Sequence, residues 1–206
     1  MNRLYLFDFD GVIADSYPLY EQFIASCLKN IDPSLITKAS DFLDFFDENF
    51  YEAIEKKGVS FDTFMEAAAA FGHLDYSEIE PFPDIVPVLK DLSKVHPLVI
   101  ISSNQSPTIE EVLSRAGISD LFHSVFGADH MTSKTKKIYH AMKTMDKEPE
   151  QTFYIGDTSG DIREAKRAGV RSVAVTWGWH DEERLRAAGP DYIVKTPAEL
   201  IKLDGS

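Results

Sequence analysis

The chain has 206 residues, 44% of them hydrophobic and 12% aromatic, which is enough apolar material for one sizeable core and a small second unit. Its formal charge of −13 argues against nucleic-acid partners and against anionic membrane surfaces, because both are bound through Lys and Arg. No apolar run approaches the roughly 18 residues of a membrane span. The start lacks the basic and apolar succession of a secretory leader. Cys27 is the one cysteine, so disulfides and thiolate metal clusters are excluded and a soluble, cytoplasmic protein is expected.

The run Leu4-Tyr5-Leu6-Phe7-Asp8-Phe9 reads as a buried strand closed by a turn at Asp10-Gly11. From about 17 to 79 only helical periodicity follows, carried by Tyr20, Phe23, Ile24 and Cys27, then Phe42, Phe45, Phe46, Phe50 and Ile54, then Phe64, Ala67, Ala68 and Phe71. Cys27 in this pattern reads as an inert buried thiol. Pro81-Phe82-Pro83 is the expected return from the helical block.

Strands and helices then alternate. Strands are predicted at 98–102, 124–127, 152–156, 172–176 and 192–194, and helices at 84–95, 107–116, 134–145, 161–168 and 182–187. Ser106 before Pro107 reads as an N-cap, and Thr196-Pro197-Ala198-Glu199 as a capping box. Such alternation builds a doubly wound parallel α/β sheet, with ligands bound beyond the carboxyl ends of the strands. The expected division is a core of residues 1–15 and 82–206 and an inserted all-helical domain of residues 16–81.

Polar signals fall just past several of these strand ends. Asp8 and Asp10 follow the first strand, Ser102, Ser103 and Asn104 the second, Lys134 a loop beyond the third, and Gly156-Asp157 through Asp161 the fourth. In a parallel sheet these ends share one edge, so the groups converge. Carboxylates gathered in one cleft repel unless one keeps a proton or a cation joins them. A hard divalent cation such as Mg²⁺ accepts a few oxygen ligands plus substrate phosphate, and no histidine lies near these motifs in sequence to favour zinc. A carboxylate can then attack phosphorus, dividing one displacement into two. A second, two residues on, can protonate the leaving alkoxide and later take a proton from water. A hydroxyl and backbone amides after the second strand can hold the transferring oxygens, while a lysine balances charge.

The run Asp8-Phe9-Asp10-Gly11-Val12-Ile13-Ala14-Asp15-Ser16, the apolar lead into Ser102, Lys134, and Gly156-Asp157 through Asp161 resemble, in order, the motifs of the haloacid dehalogenase-like hydrolases. The resemblance implies a helical cap inserted after the first strand. It implies Asp8 as nucleophile and metal ligand, and Asp10 as general acid/base with its backbone carbonyl on the metal. Asp157 becomes the third protein ligand, and Asp161 a support behind the ligands. Ser102, Ser103 and the Gly11 turn are expected around the substrate phosphate, and Lys134 beside the nucleophile. An aspartate at the Asp10 position separates phosphatases from dehalogenases and phosphonatases. Val175-Thr176-Trp177-Gly178-Trp179, with Pro190-Asp191-Tyr192-Ile193, resembles the phosphoglycolate phosphatase branch.

The expected activity is therefore Mg²⁺-dependent hydrolysis of a small phosphorylated metabolite. A sugar-phosphate mutase and a non-catalytic phosphate-binding module stand as alternatives. Ser102 and Ser103 are interchangeable on sequence. Lys136 is the alternative to Lys134, with Lys136 and Lys137 otherwise expected on a solvated helix face. Asp15 and Ser16 begin the hinge to the inserted domain, where they either cap the next helix or, in the fold the resemblance implies, face the site. Trp177, Trp179 and His180 follow the fifth strand, where they either line the entrance or, as is commoner, pack a loop, and are left out of the site.

Overall fold

A computed structural model describes residues 2–72 and 74–205, the side chains of residues 204 and 205 excepted. Strand β1, Leu4–Phe7, is buried on both faces, as its unbroken apolar run requires. It pairs in parallel with β2 (Leu98–Ile101), Tyr5 opposite Leu98, and with β4 (Thr152–Gly156), Leu4 opposite Thr152. Strands β3 (Ser124–Phe126), β5 (Arg171–Val175) and β6 (Tyr192–Val194) complete a six-stranded parallel sheet in the order β3-β2-β1-β4-β5-β6. The chain winds outward from β1 in one direction and then returns to β4 on its other side. A crevice consequently opens beyond the carboxyl end of β1.

Alternation along the strands divides the core into two layers. Tyr5, Phe7, Leu98, Ile100, Phe153 and Ile155 face helices α4 (Ile85–Ser93) and α5 (Ser106–Arg115), numbered in chain order after the inserted helices α1 to α3 given below, and a C-terminal 3₁₀ segment Pro197–Gly205. Leu4, Leu6, Val99, Ile101 and Tyr154 face α6 (Lys134–Met145) and α7 (Ser159–Ala168). Helix α8, Glu182–Ala188, covers β5 and β6 through Leu185.

Between β1 and α4 lies a helical block: α1 (Tyr17–Ile31), a 3₁₀ segment Ala39–Phe46, α2 (Phe50–Lys56) and α3 (Phe61–Phe71). It has its own apolar cluster, with Phe23, Cys27, Phe42, Phe45, Ile54 and Phe64 all buried. The chain leaves and re-enters the sheet layer side by side. Phe82 N–H donates to Ile13 O at 2.8 Å and Asp15 N–H to Glu80 O at 3.1 Å.

Some local expectations need correction. The period running through Phe42, Phe46 and Phe50 is interrupted, because the Asn49 side chain accepts from Tyr51 and Glu52 N–H and starts a new helix. Ser106 is the first residue of α5, and its hydroxyl accepts from Gly127 N–H across the sheet edge. The Thr196 hydroxyl does reach Glu199, but Glu199 takes the amide of Lys195 and leaves the box incomplete.

Candidate active site

Asp8 is the first residue past β1, and its N–H is held by Ile155 O of β4 at 2.8 Å. Its carboxylate accepts Phe9 N–H on Oδ1 at 2.7 Å and the Lys134 ammonium on Oδ2 at 2.5 Å. Burial pushes Asp8 up to about 7 against the pull of Lys134, and Asp161 adds to the rise. Asp10 turns to a different set of partners. Its Oδ1 accepts the Ser16 hydroxyl at 2.7 Å and its Oδ2 the Asn104 amide at 3.4 Å, while burial raises it to about 6. Ser16 thus stands at the head of α1 without capping it, because its hydroxyl is committed to Asp10.

Lys134 opens α6, where its Nζ bridges Asp8 and, at 2.6 Å, Asp161. Burial pulls this lysine down, but Asp161 and Asp8 outweigh it and hold it well above its ordinary value. Asp161 also accepts the Tyr154 hydroxyl at 3.2 Å and the Thr158 hydroxyl at 2.7 Å. Burial opposes its ionisation, yet Lys134 and Thr158 bring it below the usual carboxylate range. Ser102 ends β2's apolar run almost fully buried; its Oγ accepts Asn104 N–H at 3.0 Å, which leaves the hydroxyl hydrogen to donate. Ser103 lines the same cavity.

Asp157 follows β4. Its Oδ2 accepts Trp179 N–H at 2.7 Å, whereas its Oδ1 is buried with no hydrogen-bond partner among the described residues. Burial, then Asp161 and Asp8, holds Asp157 well above the usual carboxylate range. A Cβ at Gly11 or Gly178 would overlap this carboxylate, so both glycines make room for it. Gly11 N–H itself is taken by Ala14 O at 2.9 Å, which leaves Gly11 to contribute space rather than an amide.

Asp8, Asp157 and Asp161 each offer an oxygen within 4.8 Å of the others. This crowded, all-oxygen set with an orphaned acceptor fits a hard divalent cation. Asp10 lies outside the trio, its carboxylate turned toward Ser16 and Asn104.

Residues 5–175 match the sequence profile of the haloacid dehalogenase-like hydrolases. The chain belongs to that family. A phosphoglycolate phosphatase from Synechococcus elongatus is 34% identical over 125 residues, which is 60% of this chain and 59% of that protein. The pyrophosphatase PpaX of Bacillus mycoides is 25% identical and aligns with 96% of this chain and 94% of its own. Among solved structures, a haloacid dehalogenase-like hydrolase from Streptococcus pneumoniae superposes with a TM-score of 0.79 at 25% identity, covering 98% of each chain.

This haloacid dehalogenase-like hydrolase carries features that sequence reasoning misses. Lys137 is fully buried rather than solvated, and its ammonium donates to Ser102 O. Burial, followed by repulsion from Lys134, brings it down to about 7. The helical period held the signal, since residues 134, 137, 138 and 141 share one face with Ile138 and Ala141 in the core. Lys136 is exposed, as expected.

Trp179 lines the cavity, its amide fixing Asp157 and its ring stacked edge-on against Phe46 at 5.0 Å. His180 also lies nearer the motifs than its sequence position indicates. It accepts Ser159 N–H on Nδ1 at 3.0 Å and donates from Nε2 to Leu43 O at 3.1 Å, so neither nitrogen is free for a metal. Asn49 was also overlooked: its amide donates to Glu164 and to Thr132 O, tying the helical block to the sheet layer.

Proposed function

We propose that this enzyme hydrolyses a small phosphomonoester in the cytoplasm with Mg²⁺ as its metal, through an aspartyl-phosphate on Asp8. What supports the reading is the convergence of Asp8, Asp10, Lys134 and Asp157 on the floor of one cavity, with the Lys134 ammonium 2.5 Å from the Asp8 carboxylate.

Asp8, the Asp10 backbone carbonyl and Asp157 would hold the ion, which when bound offsets negative charge on the phosphate and lowers the repulsion among the carboxylates. Asp8 attacks phosphorus and the P–O bond to the alcohol breaks. Asp10, carrying the proton, gives it to the departing alkoxide. Asp10 then takes a proton from water as that water attacks the aspartyl-phosphate, which releases inorganic phosphate and restores both aspartates. Lys134 balances charge beside the nucleophile, and Ser102 with Ser103 donates to the phosphate oxygens. Asp161 orients Lys134. We read residues 1–15 and 82–206 as the catalytic core and 16–81 as a cap that excludes bulk water when seated.

The test is phosphate release from an aryl phosphate and a panel of small phosphorylated metabolites, with Mg²⁺ or chelator, for the wild type and Asp8→Asn. Release should require the metal and disappear in the variant. Full-rate release by Asp8→Asn would overturn the mechanism. Isomerised product without free phosphate would assign a mutase, and no release from any compound would leave a binding module.

A further inference from the structure

We propose that the alcohol carried by the substrate is uncharged and apolar, an aromatic or bulky alkyl group, rather than a carboxylate or a second phosphate. The proposal rests on the phosphatase reading above and concerns the part of the cavity that faces away from the carboxylates. That cavity has a volume of about 180 Å³, and its lining on the side of the helical block is mostly apolar.

The wall opposite the carboxylates is built by the helical block. Phe23, Ile24, Phe46, Phe50, Phe64 and Leu74 are its main apolar surface. Among the described residues that line the cavity, Lys134 is the one Lys, Arg or His, and its ammonium is already shared by Asp8 and Asp161. The lysines of the helical block lie away from this cavity: Lys38 pairs with Asp41 and Lys56 with Glu48 at the surface, and Lys29 and Lys57 are exposed at other clefts.

A carboxylate pushed against this wall would lose its water and gain no counter-charge from the wall's described residues. A second phosphate would meet the same surroundings with more charge. An aromatic or branched alkyl group exchanges water for ring faces and methylenes, which is favourable in proportion to the area covered. The Trp179 indole N–H is buried without a partner among the described residues. Tyr51 and Gln105 also line the cavity, and neutral groups of this kind can meet a hydroxyl or ether oxygen but bring no formal charge to offset a carboxylate.

Phosphoglycolate and pyrophosphate, the compounds in the names of the relatives above, each bring a second anion to this wall. Benzyl phosphate, 2-phosphoglycolate and inorganic pyrophosphate are suitable probes, since benzyl alcohol and glycolate are alkyl leaving groups of similar basicity. With Mg²⁺ present, kcat/KM for benzyl phosphate is expected to exceed that for 2-phosphoglycolate by on the order of a hundredfold. Placing an ammonium in the wall by Ala68→Lys should narrow that ratio by at least about tenfold. Met65→Lys, at a position 40% exposed on the cavity rim where folding is not at stake, should move it in the same direction.

Equal or better turnover of 2-phosphoglycolate or pyrophosphate by the wild type would overturn the inference and leave the phosphatase reading intact. Ratios that stay unchanged in both lysine variants would overturn it as well. Release from the three probes that is absent, or that persists in Asp8→Asn, would remove the phosphatase reading and the inference with it.

Discussion

The floor and the roof of the cavity are held by different forces. On the floor, the side chains of Asp8, Asp10, Lys134, Asp157 and Asp161 are each placed by one to four hydrogen bonds, such as Ser16 on Asp10, Trp179 N–H on Asp157, and Lys134, Tyr154 and Thr158 on Asp161. On the roof, Phe46, Phe50 and Phe64 are placed by contact area and ring geometry, with Phe50 and Phe64 edge-on at 4.9 Å. A buried charge that loses its partner is uncompensated, so the floor tolerates little change. A hydrophobic surface accepts another of similar volume. On the proposed mechanism, reaction chemistry resides in a few atoms of the sheet edge, and the choice of alcohol in a replaceable area of the helical block.

The comparison is broken most severely at Asp8. Asp8→Asn should lower phosphate release by on the order of 10⁴-fold, measured under saturating substrate, because on the proposed mechanism Asp8 carries the covalent intermediate. Asp10→Asn should follow at roughly 10²- to 10³-fold for an alkyl phosphate. Its effect should be clearly smaller for a nitrophenyl phosphate, whose leaving oxygen does not require a proton. Equal losses on both esters would remove Asp10 from the acid role.

Lys137 tests whether the floor extends beneath Ser102. Its folded value of about 7 lies below the ordinary 10.5, mainly because of burial. Between those values the unfolded chain binds a proton that the folded chain does not, so stability rises with pH in that window. Below about pH 7 both states are charged and this group contributes no slope. Relative to Lys137→Met, the wild type should gain about 1 kcal/mol per pH unit above pH 7.5. Urea unfolding at pH 6, 7.5 and 9 measures this, and parallel curves would contradict it.

The smallest effect is expected on the roof. Phe64→Leu should change stability by less than about 1.5 kcal/mol and leave kcat nearly unaltered, with KM absorbing the difference. A large fall in kcat with KM constant would show that roof and floor are not separable.

Much of the floor was legible because it depends on two local facts and one rule of topology. Apolar runs ending in Asp8, Ser102 and Gly156-Asp157 mark strand ends, and parallel strands bring such ends to one edge. Lys134 was legible from its place ahead of a helix. Charge alone puts Lys137 on a solvated face, whereas the helical period puts it on the face of Ile138 and Ala141, and the period prevails. His180 and Trp179 follow the fifth strand, which brings them toward the site entrance, but their partners Leu43 and Phe46 lie more than a hundred positions away in the chain and local pattern does not reveal them.

The order of strands and helices, the acidic strand ends and the helical insertion followed from the sequence by itself. Those features arise from backbone periodicity and hydrogen bonds that span a few residues. Tertiary structure alone decided that Lys137 is buried under Ser102, and that, among the described residues, one oxygen of Asp157 has no partner and the roof carries rings and no cation. Burial and unmet charge depend on what distant segments bring to a place, and local pattern does not contain that information.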